Sequence, residues 1–239
     1  MLFNSWQFAV FLPIVFALYW SLPHRFRWLL ILISSYYFYM SWNVKYVVLI
    51  LFTTIVSYLA AILIERYRTY SKPIMITALI MCLGVLFVFK YFNFVSQSLS
   101  DFLNMFALHL HPMTLKLMLP VGISFYTFQT LGYVIDVYRG TTKAEHHLGI
   151  YAAFISFFPQ LVAGPIERTN NLLPQIKARH DFSYEQGIDG LKLIAWGLYK
   201  KLVIADVIAP YSDKVFGSVY FFSGFSFIIA ALCFTVQIY

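Results

Sequence analysis

The chain has 239 residues, 61% of them hydrophobic and only 11% charged, with a formal net charge of +7. Soluble domains carry roughly 25% charged residues, so this composition cannot cover a water-facing surface and excludes an ordinary soluble globular domain. The apolar residues come in continuous runs rather than in alternation, which argues against a membrane β-barrel. The expected class is all-α: a polytopic transmembrane helical assembly, a single membrane domain across residues 1–239. The cations fall in loops between apolar runs, which suits anionic lipid headgroups and topology signalling rather than nucleic acid.

Phe3 to Trp20 reads as the first span, with Pro13 as a kink. No Lys or Arg precedes Arg25 and no small-x-small cleavage site follows the run, so it is a retained span and not a signal peptide. Trp28 to Met40 continues apolar and ends in an aromatic cluster, Tyr36 to Tyr39 with Trp42, typical of a membrane interface. Val44 to Ile64 is a third span. Pro73 to Val95 is a fourth, with Pro73 in the first turn, where its missing N–H costs nothing. Ser96 to Lys116 mixes polar and apolar residues and is expected to hold an interfacial helix. His109 and His111 within it read as surface histidines, because no further metal ligands accompany them. Cys82 and Cys233 lie inside apolar runs and read as small buried hydrophobes. No metal site or disulfide framework is indicated.

Leu117 to Val137 is the fifth apolar segment, interrupted at its start by Pro120 and Gly122. Ser124, Thr127 and Gln129 place polar atoms at helical spacing along it. Asp136 and Arg139 are spaced to pair at its end. Ile150 to Ala163 is too short to cross: at about 1.5 Å per residue it reaches little over 20 Å, against about 30 Å of hydrocarbon. Pro159 breaks it further. With the N-terminus outside, Arg25, Arg27, Arg66, Arg68, Lys72, Arg139 and Lys143 all fall inside, and only Lys45 and Lys116 outside. A simple crossing by Ile150 to Ala163 would then expel Arg168, Lys177 and Arg179, against the positive-inside pattern. A re-entrant or half-depth element removes both difficulties. His146-His147, beside Lys143 and Glu145, reads as a solvated turn.

Asp181 to Pro210 reads as a helix in the headgroup plane. It opens with a capping box, Ser183 with Gln186. A polar stripe of Glu185, Asp189, Lys192, Trp196 and Lys200 lies opposite Ile188, Leu191, Ala195, Leu198, Leu202 and Ala205. Phe216 to Tyr239 is apolar and is closed by no charge, cap or breaker, so the expectation is that the parent protein continues.

No nucleophile elbow, phosphate loop, zinc motif or dinucleotide fingerprint is present. Two stretches stand apart because they combine helix-breaking Pro and Gly with polar residues in an apolar setting. Broken backbone at membrane depth survives only where protein buries it or where it lines a wet cavity. The candidate polar pathway is therefore Ser124, Thr127, Gln129, Gln160, Glu167 and Arg168, with Gly164 and Pro165 fixing a sharp turn. Each has a simpler reading: Ser124 and Thr127 bonding back to helix carbonyls, Gln160 satisfying broken backbone, Glu167 pairing with Arg168.

These stretches carry a resemblance. L-P-V-G-I-S-F-Y-T-F-Q-T-L-G-Y-V-I-D-V-Y-R-G from Leu119, F-I-S-F-F-P-Q-L-V-A-G-P-I-E-R ending at Arg168, and G-L-Y-K-K-L-V-I-A-D ending at Asp206 resemble the membrane-bound O-acyltransferases. The bacterial branch that acetylates exported polysaccharides is the most similar. The resemblance implies peripheral helices over 1–116 and the start of a family core over 117–239. It also implies an acyl thioester co-substrate, with acetyl-CoA expected, and no bound cofactor. The implied partners are membrane lipid, a polysaccharide acceptor and a periplasmic acetylation partner protein. The implied location is the bacterial inner membrane. The family's histidine motif is matched by none of His24, His109, His111, His146, His147 or His180, so this stretch alone is expected to be inactive. Two rival readings share the same broken helices: a transporter or flippase, and a non-catalytic membrane scaffold.

Overall fold

The computed structural model describes residues 1–106, 113–115, 119–162 and 164–238. The expectations for His109, His111, Lys116, Ala163 and Tyr239 lie outside them. All regular structure among the described residues is helical. In chain order the helices are α1 (Trp6–Ser21), α2 (His24–Met40), α3 (Val47–Arg66), α4 (Ser71–Lys90), α5 (Phe92–Asn104), α6 (Ile123–Arg139), α7 (Leu148–Ile155), α8 (Phe158–Leu161), α9 (Thr169–Lys177), α10 (Tyr184–Tyr199), α11 (Asp206–Gly217) and α12 (Gly224–Ile238). They divide into two compact units: Met1 with Leu12–His180, and Leu2–Phe11 with Asp181–Tyr239. Among the described residues two helical segments, Val44–Arg66 and Arg68–Lys90, are long and apolar enough to cross a membrane. Trp6–Ser21, Leu148–Leu161 and Gly224–Ile238 are shorter apolar helices.

In the first unit α3 packs against α4 and α6, α4 also meets α6, and α2 packs on α7 and α8. The core is built on Ile50, Ile64, Tyr126, Tyr133, Tyr151 and Phe154, all fully buried. α3 is inside-out by the standard of a water-soluble helix. Its packed face holds Thr53, Thr54, Ser57, Ala60 and Ala61, whereas Val48, Leu51, Phe52, Ile55, Leu59 and Leu63 are exposed. Small and hydroxyl-bearing residues let helices approach closely where no water drives them together. Two of the three hydroxyls are satisfied locally, Ser57 Oγ donating to Thr53 O at 2.6 Å and Thr53 Oγ1 to Leu49 O at 3.1 Å, whereas Thr54 Oγ1 has no partner among the described residues.

One end of this unit collects the starts of α2, α4 and α7 and the ends of α3, α6 and α9. Arg27 Nη1 donates to His180 O at 2.6 Å there, Tyr58 Oη to His146 O at 2.6 Å, and Arg68 Nη1 to Tyr138 O at 3.4 Å. His146 Nε2 meets Glu65 Oε2 at 3.0 Å. α6 stops at Gly140, whose φ of 78° is left-handed, with Gly140 N–H donating to Val137 O and Thr141 N–H to Asp136 O. This pairing closes the last turn and satisfies two of its otherwise free carbonyls. No Asp136–Arg139 ion pair forms among the described residues; backbone bonding, not charge, ends the helix.

The fourth expected span is shorter than its apolar run suggests. α4 ends at Lys90, and a separate amphipathic helix, α5, starts at Phe92. Just beyond the break, Asn93 Nδ2 donates to Leu115 O and Leu115 N–H to Asn93 Oδ1, both at 2.8 Å.

In the second unit α11 packs on α12. Ser183 Oγ accepts from Gln186 N–H at 3.4 Å, the first half of the capping box. The helix does not end at Pro210, which lies inside α11. Between α10 and α11 the chain passes through a π-helical segment, Lys200–Ala205. Its i→i+5 bonding brings residues five apart to one side, and Lys201 Nζ meets Asp206 Oδ1 at 2.6 Å.

Candidate functional site

The segment between α6 and α9 leaves one end of the first unit, turns inside it and comes back to the same end. On the way in, Glu145 precedes α7. On the way out, α9 begins at Thr169. Thr142 Oγ1 donates to Asn170 Oδ1 at 2.5 Å, and the Lys177 ammonium pairs with the Glu145 carboxylate. Both legs are thus fastened where they enter the unit.

The turn lies between α7 and α8, and its backbone can be followed group by group. α7 starts under a cap from His147, whose Nδ1 accepts from Ile150 N–H at 3.2 Å. It stops after Ile155. In an unbroken helix the Phe158 N–H would donate to the Phe154 carbonyl. Here Phe158 N–H turns to Ser35 Oγ on α2, at 3.2 Å. The Phe154 carbonyl is left without its helical donor inside the core, where an unpaired carbonyl costs about 1–3 kcal/mol. Two glutamines supply it instead: Gln129 Nε2 from α6 at 3.1 Å and Gln160 Nε2 from α8 at 3.3 Å. Both side chains are buried.

The other interrupted stretch meets the same place. Gly122, at the start of α6, has φ 77°, and a Cβ built on it would lie 2.3 Å from the Leu161 carbonyl oxygen. Only glycine permits both the left-handed backbone and this approach. Pro120 is buried just before it, and Pro159 falls in the first turn of α8, where it costs no hydrogen bond. Beyond α8 the chain doubles back over its own glutamine: a Cβ on Gly164 would sit 2.5 Å from Gln160 Cα. The two breaks therefore pack backbone to backbone, with Gln129 and Gln160 on one carbonyl beside them.

The remaining candidates are placed as follows. Thr127 is fully buried on α6, and its hydroxyl finds no partner among the described residues. The back-bonding expected of it falls to Thr130, whose Oγ1 donates to Thr127 O at 2.7 Å. Ser124 is half-buried, Pro165 and Arg168 are exposed, and Glu167 is half-buried. Glu167 does not pair with Arg168; its Oε2 accepts from Asn171 Nδ2 at 2.7 Å. No group of three or more His, Cys, Asp or Glu able to hold a metal occurs among the described residues.

Three participants were not singled out by sequence reasoning. The Phe154 carbonyl is a backbone group and carries no signal. Ser35 carried one, as half of a serine pair inside an apolar run. Glu145 was expected in a solvated turn but is 4% exposed. Its Oε1 accepts from His147 N–H at 2.9 Å, its own N–H donates to Tyr133 Oη at 2.8 Å, and its other oxygen meets Lys177.

Along its whole length the chain is similar to bacterial proteins named as O-acetylating enzymes. It is 36% identical to the probable alginate O-acetylase of Pseudomonas aeruginosa, an alignment covering 100% of this chain and 46% of the relative. It is 36% identical to that of Azotobacter vinelandii, covering 48% of it. It is 31% identical to the peptidoglycan O-acetyltransferase of Helicobacter pylori, covering 51% of it. The chain spans about half the length of these relatives. No family model matches the chain, and neither does any solved structure.

Proposed function

We propose that this chain supplies the first part of a membrane O-acetyltransferase, one that moves an acetyl group from a thioester, acetyl-CoA, to hydroxyls of an exported polysaccharide. The observation that carries the reading is the shared Phe154 carbonyl, where two glutamines from different helices hold open a break in the middle of a packed unit. The names of the relatives supply the reaction class. The inside-out face of α3 and the cations at one end of the first unit support a multi-pass position in the bacterial inner membrane, in contact with anionic lipid. Residues 1–116 act as peripheral helices and 117–239 as the start of the core. A periplasmic partner protein takes part in acetylation.

Within this reading Gln129, Gln160, Ser124 and Thr127 border the corridor. Gly164 and Pro165 shape its turn, and Glu167 with Arg168 stands at its mouth, where the guanidinium suits the phosphates of a carrier. An alcohol is a poor nucleophile near neutral pH, and a positioned base supplies about 10²–10⁴-fold. His24, His146, His147 and His180 all belong to the far, cation-rich end of the first unit or its edge, away from the glutamines. With no histidine beside the glutamines among the described residues, we expect this chain alone to transfer nothing. The test is acetyl transfer in membranes from cells making the complete gene product. Gln160→Ala and Arg168→Ala should each lower it. Undiminished transfer in both would remove these residues from the pathway.

A further inference from the structure

The Phe154 carbonyl has more donors than it needs. Gln129 alone, at 3.1 Å, replaces the helical N–H that Phe158 withdraws. The second donor, Gln160 Nε2, is the longer contact at 3.3 Å. Satisfying broken backbone therefore accounts for Gln129 but leaves Gln160 unexplained.

The same contact fixes which way the Gln160 amide points. Reversing it would set Oε1 against the Phe154 oxygen, two acceptors face to face. Oε1 thus points away from the carbonyl. It has no partner among the described residues, although the side chain is only 7% exposed. Nor can the side chain retreat easily, because Gly164 closes over it: a Cβ there would lie 2.5 Å from Gln160 Cα and 2.9 Å from its Cβ. A buried amide oxygen held in place without a donor is a costly arrangement, and its oxygen can only accept.

We propose that Gln160 Oε1 receives the O–H of the acceptor substrate, making Gln160 the residue that holds the incoming hydroxyl. The proposal rests on the O-acyltransferase reading. Chemistry selects the ligand. The reacting end of an acyl thioester offers a carbonyl oxygen and a sulfur, both acceptors, and neither can pair with Oε1. A hydroxyl can. The amide oxygen is far too weak a base to keep the proton, so Gln160 orients the hydroxyl and leaves deprotonation to another group. Gln129 has the separate task of holding the break.

The experiment compares Gln160→Met and Gln129→Met in membranes containing the complete enzyme. Acetyl-CoA is the donor, and de-O-acetylated alginate oligosaccharide or a peptidoglycan fragment the acceptor. A site built to hydrogen-bond a hydroxyl discriminates strongly through that bond. Gln160→Met should raise the acceptor KM by roughly tenfold or more, a loss comparable to one buried hydrogen bond. It should leave the acetyl-CoA KM within about twofold. Gln129→Met should lower the amount of folded enzyme without a selective change in acceptor KM. Gln160→Asn, which shortens the reach of the same amide, should give a smaller rise, and it decides the matter if the methionine variant does not accumulate. An unchanged acceptor KM, equal rises in both KM values, or identical behaviour of the two methionine variants would overturn the proposal. An unchanged acceptor KM together with higher stability would mean that Oε1 meets only a buried water. If the unaltered enzyme acetylates neither acceptor while hydrolysing the thioester, the assignment to hydroxyl transfer fails first and takes this proposal with it.

Discussion

Three glycines allow the contact between the two breaks to be measured by itself. Gly132 is helical, with nothing within 4 Å of an added Cβ. Gly140 has φ 78° and only the far end of Arg68, at 4.0 Å. Gly122 has nearly the same φ, 77°, and the Leu161 carbonyl oxygen at 2.3 Å. Gly132→Ala should be neutral or stabilising by up to about 1 kcal/mol. Gly140→Ala carries only the left-handed penalty, about 1–2 kcal/mol. Gly122→Ala carries that penalty and must also widen the gap from 2.3 Å to the 3.4 Å of ordinary contact, against backbone rather than a flexible side chain. Such overpacking adds about 1–3 kcal/mol, for a total of roughly 2–5 kcal/mol. Asparagine separates the two terms, because it tolerates the left-handed region: Gly140→Asn should recover most of the loss, and Gly122→Asn should not. The assay is a denaturing-detergent titration of the purified protein in mild detergent, with helicity as the signal. If Gly122→Ala and Gly140→Ala unfold at the same midpoint, the backbone-to-backbone packing of the two breaks is wrong.

Other expectations follow from single contacts. Tyr151 and Ser57 share a buried hydrogen bond of 2.6 Å. Ser57→Ala should cost more, about 1–3 kcal/mol, than Tyr151→Phe, about 0.5–1.5 kcal/mol, because the serine keeps a backbone partner and the tyrosine hydroxyl does not; the same titration ranks them. Lys177→Met strands the buried Glu145 carboxylate and should destabilise by about 1–3 kcal/mol, below the full buried-pair value because the lysine is half-exposed. Adding Glu145→Gln should recover part of that loss, which a double-mutant cycle reads directly. Arg139→Cys and Arg168→Cys should react with a membrane-impermeant thiol reagent from the same face of sealed vesicles; labelling from opposite faces would refute the returning path of α7 and α8.

Much of the architecture could be read from residue types. The breakers Pro120, Gly122 and Pro159 mark the places where the helices are interrupted, and Ser183 with Gln186 marks the start of α10. The short run from Ile150 and the charge of the flanking loops call for a segment that returns to its starting side. What stayed hidden depends on atoms brought together by tertiary structure. Nothing local shows that Phe158 N–H abandons Phe154 for Ser35, so the shared carbonyl was invisible even though both glutamines were named. The same holds for Glu145, which looks solvated until Lys177 and Tyr133 are beside it. It holds as well for the start of α5, where only the folded chain shows Asn93 binding the backbone of Leu115.

The returning segment also constrains the order of assembly. Its tip relies on Ser35, Gly122 and Gln129, all of which the ribosome delivers before it. Its base is closed only afterwards, by Asn170 and Lys177. The segment thus docks on partners that precede it in the chain and is fastened by partners that follow it.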